Sequence, residues 1–344
     1  MNKPARTSPQ GCLWTLLVMV ICGIVFSGLQ IATHFPPILN VIIGLLVGIA
    51  VTYTVLGKPK IKRVLQSFLL VFIVFIVLKT LFGMLIDLWG AHREDLTFTS
   101  EEKVLQTTIV EGTDTIPVFS SIRRWTDNYG NSFEGDLTVR TNDYYALKDY
   151  IANYRSSTRG NFWGNLYDHI ERKDRPGLDL VIQNFERIRA ERNLNQMEFA
   201  EMVVSCIQDI PYAFVFSQEC LPADRYESSI KAILEQCPQC CIGNIAYGIQ
   251  NPVSFIQNLK GDCDTRTVLI YSILKYFQYD VAIANSDFYK HSILAINLPA
   301  SGLFKVHNGK KYILWETTAP YFQAGYLSPN FDDVTHWNIV LTSK

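Results

Sequence analysis

Residues 12 to 33, CLWTLLVMVICGIVFSGLQIAT, carry no charge over 22 positions. A helix of that length spans the hydrocarbon core of a bilayer, and few other environments accept so long an uncharged stretch. A cleavable signal peptide has a shorter apolar stretch that ends at a small-residue cleavage site. Here a second apolar run, 38-56, follows after only HFPP, and a third, 64-89, is interrupted by Lys79. Lys79 can snorkel outward, with Trp89 as an interfacial anchor. Three spans are therefore expected, 12-33, 38-56 and 64-89, in a transmembrane region covering residues 1-90.

The basic residues orient that region. Lys3 and Arg6 precede the first run, and GKPKIKR, 57 to 63, places four positive charges between the second and third. The first connection has none, so the positive-inside rule puts the N-terminus and residues 57 to 63 in the cytoplasm. Three crossings then leave everything after residue 90 outside the cell. The expected location is the cell membrane, multi-pass, with the C-terminal domain extracytoplasmic. The first ninety residues hold seven basic side chains and one acid, a net +6; the whole chain is −1, which leaves −7 for the remainder. That remainder shows no basic stripe and no arginines interleaved with aromatics, so nucleic acid is not an expected partner. Three short spans with a single internal lysine also offer no transport pathway.

Residues 91-194 read as a juxtamembrane linker with some strand, a small β-hairpin over 122 to 141 turning at Asp127–Asn131, and helices. DYYALKDYIANYR is one helix. GLDLVIQNFERIRAERNL is another, with Leu178, Val181, Ile182, Phe185 and Ile188 on one face. NQMEFAEMVVSCIQDI follows, capped by Asn195 and stopped before Pro211. After a cysteine-rich irregular stretch, 212 to 258, comes an apolar helix from Cys263. Strands are expected at 280 to 285 and 291 to 298, then a hairpin turning on Asn308-Gly309. Helices followed by an antiparallel sheet make an α+β fold.

Cys263 stands in KGDCDTRTVLIYSIL, at the start of that helix. Asp262 can cap it and Asp264 suits its first turn. Val268, Leu269, Ile270, Ile273, Leu274 and Phe277 are apolar nearly all round, as in a central buried helix. Backbone N–H groups at the helix start favour an anion, but a helix end is worth only about 0.3–1 kcal/mol. A thiol of pKa ~8.5 needs more than that to be a thiolate at neutral pH. A nearby imidazolium supplies about one to three pKa units. Of the six histidines, His291 opens a strand after one helix and one strand, within reach of the helix head. Glu316 ends the next-but-one strand and can accept from the His291 ring. Gln208, at a helix end upstream, can offer its amide to an oxyanion.

G-D-C-D before an apolar helix, K-H-S-I-L on a strand and W-E-T-T on a later strand resemble the transglutaminase-like domain of the papain-type thiol superfamily, in its membrane-anchored bacterial form. IQDIPY also resembles the segment that precedes the cysteine in bacterial members. The resemblance covers residues 196 to 320. It implies a papain/transglutaminase-like core, a central Cys-bearing helix packed on an antiparallel sheet, as domain 195-344 after the N-terminal transmembrane helical region. It implies a triad of Cys263, His291 and Glu316, although the third position is usually Asp. It also implies acyl-thioester chemistry on peptide or protein amides, as cysteine peptidase, amidase or transamidase. No cofactor or metal is expected, and no carboxylate cluster suits calcium. The expected partners are the lipid bilayer and a peptide or protein substrate. Some relatives have lost the chemistry, so an inactive domain that binds peptides or scaffolds a membrane complex is the alternative.

The other cysteines divide by place. Cys12 and Cys22 lie in the first span, and Cys206 on the apolar side of a helix. Cys220, Cys237, Cys240 and Cys241 cluster. Four such ligands could hold zinc, though adjacent Cys240-Cys241 makes a tetrahedral site awkward. In an extracytoplasmic domain disulfides are expected instead, and their pairing is not legible in the sequence. A stapled insertion there could cover the cleft.

Overall fold

The computed structural model describes residues 10 to 32, 37 to 57, 103 to 156 and 160 to 344. The third expected span lies outside these residues. The chain divides into two units, with the boundary between residues 92 and 93.

In the first unit, α1 (Gln10–Ala32) packs against α2 (Pro37–Leu56). Gly44 and Gly48, one turn apart on α2, permit this approach. A Cβ on either would lie 2.9 Å from the Cys22 carbonyl oxygen or 2.8 Å from that of Val18. Small residues at such spacing let helix backbones come close. Among the described residues, the Leu39–Leu56 stretch, with mean hydropathy 2.2, is long and apolar enough to cross a membrane; the apolar stretch of α1, Trp14–Leu29, is shorter.

The second unit is α+β. Its elements run β1 (Leu105–Glu111), β2 (Asp114–Thr126), β3 (Ser132–Arg140), α3 (Thr141–Leu147), α4 (Phe162–Asp174), α5 (Asp179–Arg192) and α6 (Gln196–Gln208). They continue through β4 (Phe214–Val215), α7 (Ser228–Gln236), β5 (Cys241–Ile242), α8 (Pro252–Asn258) and α9 (Cys263–Tyr276). Strands β6 (Val281–Ser286), β7 (His291–Ile296), β8 (Phe304–His307), β9 (Lys310–Trp315) and β10 (Asn338–Thr342) complete it. A three-stranded antiparallel sheet has the order β1-β2-β3, and a five-stranded one the order β10-β6-β7-β9-β8, antiparallel throughout. β4 and β5 form a short parallel pair.

Helix α9 packs on β6 and β7. Both faces of β6 and β7 are buried. Val281, Ile283, Leu294 and Ile296 face one apolar cluster with α9, while Ala282, Ala284, Ile293 and Ala295 face another around Trp337 and Leu314. The period of two puts alternate residues on opposite faces, and two covered faces explain why these strands read as continuous apolar runs. The hairpin turns at Asn308-Gly309, with φ of 49° and 75°, and His307 pairs with Lys310.

The expected boundary at residue 194 does not divide the packing. Trp125 and Phe133 of the hairpin, Phe185 of α5 and Phe199 of α6 share one core with Leu269 of α9. The sequence around Tyr144 makes not one helix but α3 followed by a 3-10 turn, Tyr150–Asn153. Asn195 caps α6 in a reciprocal box with Glu198.

Cys220 pairs with Cys241, and Cys237 with Cys240. No metal-holding cluster of His, Cys, Asp or Glu occurs among the described residues. The first bridge closes a sequence separation of 21, worth about 3 kcal/mol by the loop-entropy argument. It holds β5 beside β4. Peptide mapping of unreduced, alkylated protein should recover these two linked pairs and label Cys206 and Cys263. Labelling of all four clustered cysteines without reduction would exclude the bridges.

Candidate active site

The head of α9 is fixed by its own sequence. Asp262 accepts from the Thr265 N–H at 3.1 Å, a cap that satisfies one of the first-turn donors. Gly261 approaches Phe255 so closely that a Cβ would lie 2.9 Å from its ring. Cys263, the first residue of the helix, is 7 % exposed.

Two networks hold this turn in place. Fully buried Arg266 donates to the backbone carbonyls of Gly261 (2.9 Å), Ile207 (2.9 Å), Ile210 (2.7 Å) and Pro211 (2.5 Å). Its guanidinium carbon lies 5.6 Å from the Tyr212 ring centre and 5.9 Å from that of Phe255. Burial lowers the Arg266 pKa to about 10, which leaves it charged at neutral pH. On the other side, Asp264 accepts from the hydroxyls of Tyr167 and Ser292. Asn285 donates to both of those oxygens, at 3.1 and 2.9 Å. The helix head is thereby tied to β6, β7 and α4.

His291 and Glu316 meet at one end of the sheet. β7 pairs with β9 directly, Leu294 opposite Trp315, because β8 takes the outer edge. Glu316, the residue after β9, lies 3.0 and 3.2 Å from His291 Nε2 through its two oxygens. Nε2–H donates to the carboxylate, which leaves Nδ1 as the second nitrogen of the ring. Glu316 Oε1 also accepts from Thr317 N–H (2.9 Å), Thr318 N–H (3.0 Å) and the Thr318 hydroxyl (2.7 Å). The rings of Phe331 and Trp337 flank the imidazole at 5.0 and 5.9 Å.

Burial alone would lower the His291 pKa; the Glu316 charge and hydrogen bond outweigh it, and the pKa is raised above its ordinary 6.5. Burial alone would raise the Glu316 pKa, but His291 and the Thr318 donors bring it down to about 2. Cys263 moves the other way. Burial pushes its thiol well up, the charges of Asp264 and Asp262 add to this, and the Ser292 backbone N–H opposes it. The Asp262 pKa is itself pushed up to about 8 by burial and by Asp264. No hydrogen bond joins the thiol to His291 among the described residues.

Gln208 does not fit the role of oxyanion donor. Its Nε2 donates to the carbonyls of Glu316 (2.6 Å) and Phe322 (3.0 Å), so both amide hydrogens are spent. It holds the Glu316–Phe322 loop instead. Sequence reasoning passed over Tyr167, Ser292 and Arg266, whose signals are polar groups inside otherwise apolar elements. A surface cleft of about 440 Å³ lined by Tyr154, Asp168, His169 and Arg172 shares no residue with this cluster.

Comparison with protein-family models, with curated proteins and with solved structures found no match for the chain.

Three outcomes are expected. Arg266→Met should cost on the order of 3–5 kcal/mol, since several buried carbonyls lose a donor and each costs about 1–3 kcal/mol; the shift of the urea midpoint measures it. Glu316→Gln should bring the His291 pKa below 6.5, as read by NMR titration. The raised His291 pKa contributes stability below about 6.5 that fades as pH rises through the folded value. The lowered Glu316 pKa contributes stability above about 4.5 that fades on acidification. The melting-temperature gap between wild type and Glu316→Gln should therefore be widest between these values and narrow on either side.

Proposed function

We propose that the chain is a membrane-anchored thiol acyl-transfer enzyme of transglutaminase-like type, acting on peptide or protein amides. The observation that carries this reading is the buried His291–Glu316 pair at the strand end beside the Cys263 helix. Cys263 attacks the amide carbonyl carbon. The C–S bond forms as the carbonyl electron pair moves onto oxygen, where the Cys263 N–H at the helix start can donate. His291, held by Glu316, takes the thiol proton through Nδ1 and returns it to the leaving amine. Water or a second amine then resolves the thioester and regenerates the thiol. In the sequence-based orientation, α1, α2 and the basic run 57 to 63 anchor the chain with this domain outside the cell, and its substrates are peptides or proteins near the membrane.

A second reading is favoured by the raised thiol pKa and by the missing Cys263–His291 hydrogen bond: an inactive domain of the same type that binds peptides or scaffolds a membrane complex. The two part on one measurement. The acyl-transfer reading requires His291 to offset the raised thiol pKa: in the full chain held in detergent micelles, the pH dependence of Cys263 alkylation by iodoacetamide should then show a plateau extending well below about pH 8, lost in His291→Ala. Ordinary thiol behaviour indifferent to His291 would support the inactive domain.

A further inference from the structure

An oxyanion site built on a helix start alone has one donor, the N–H of the nucleophile. With both Gln208 amide hydrogens spent on carbonyls, a second must come from elsewhere. Tyr212 forms a parallel bridge with Gly261, and the Ala213 N–H donates to the Gly261 carbonyl at 3.3 Å. This places the Tyr212 backbone beside Gly261, two residues before Cys263. The ring is held edge-on to Phe214 at 5.2 Å and by Arg266 at 5.6 Å. Arg266 also grips the carbonyls of Ile210 and Pro211 just upstream. The side chain is only half-buried. Its hydroxyl has no hydrogen-bond partner among the described residues, yet its oxygen is not sealed from solvent. A phenol in such surroundings ordinarily finds a partner. Burial keeps it protonated, a donor, throughout the neutral range.

We infer that the Tyr212 hydroxyl is the second oxyanion donor, hydrogen-bonding to the oxygen of the carbonyl that Cys263 attacks. The inference rests on the acyl-transfer reading above and adds a catalytic residue to it. As the C–S bond forms, the carbonyl electron pair moves to oxygen, which accepts from Tyr212 O–H and Cys263 N–H with no proton transferred. Collapse restores the carbonyl and expels the leaving group.

The test uses the full chain in detergent micelles with two probes of Cys263. p-Nitrophenyl acetate acetylates the thiol through a tetrahedral oxyanion and releases p-nitrophenolate, which needs no proton. Iodoacetamide alkylates it with no oxyanion formed. Tyr212→Phe keeps the ring contacts, and circular dichroism checks its fold. The expected result is a fall of about 10²–10³-fold in acetylation, with the alkylation rate and its pH profile unchanged. Equal acetylation in wild type and variant would overturn the role while leaving the acyl-transfer reading intact. A parallel loss in both reactions would assign Tyr212 to the thiolate instead and also overturn it. A wild-type chain that alkylates like an ordinary thiol and is not acetylated would overturn the acyl-transfer reading and this inference with it.

Discussion

One fully buried guanidinium organises the region around Cys263. Arg266 reaches from the first turn of α9 to the end of α6, to the Ile210-Pro211 turn and back to Gly261. All four acceptors are backbone carbonyls. The planar fork of arginine offers five donors in fixed directions, which a lysine ammonium on a flexible stem cannot reproduce. Without it, the Ile207 and Gly261 carbonyls would keep only backbone donors at 3.3 Å, and two segments far apart in the chain, around residues 207 to 211 and 261 to 266, would lose their common reference. The positions of Gln208, Tyr212 and Cys263 all depend on this contact.

The same region sets its charges against one another. Asp262 caps α9 and Asp264 anchors it to Tyr167 and Ser292, so both serve the fold. Each also opposes a thiolate at Cys263. The rise of the Asp262 pKa to about 8 weakens that opposition near neutral pH by keeping much of this carboxyl uncharged. His291 with Glu316 works in the opposite sense, since the carboxylate raises the imidazole pKa where burial alone would lower it. The helix start adds too little to decide the balance.

Much of this arrangement was legible in the sequence, for physical reasons. Asn195 and Glu198 announce the start of α6 because a cap and its reciprocal partner have fixed spacing. Asn308-Gly309 gives the last hairpin because few other dipeptides take two positive φ angles. His291 and Glu316 could be paired because both stand at strand ends. Other features depend on contacts between distant segments. The fate of the Gln208 amide depends on where the Phe322 carbonyl lies, which no local pattern encodes. Which of the four clustered cysteines pair depends on how the segments carrying Cys220 and Cys241 meet in space, and α4 is polar along most of its length, with a narrow apolar face. The core shared by the hairpin and α9 erased the expected boundary at residue 194, since Trp125 and Phe185 bury themselves against the same interior.

The Cys237–Cys240 bridge packs against Ala213 in a small cluster of its own, and the Phe214 N–H donates to the Cys240 carbonyl at 2.9 Å. Ala213 lies between Tyr212 and β4. The bridge thus backs the segment that carries Tyr212, on the side away from Gly261. A chain synthesised where thiols stay reduced would carry Cys263, His291 and Glu316 in sequence yet lack the bridge behind Tyr212. In this fold, the support behind Tyr212 includes a disulfide, so oxidation bears on the packing next to the head of α9.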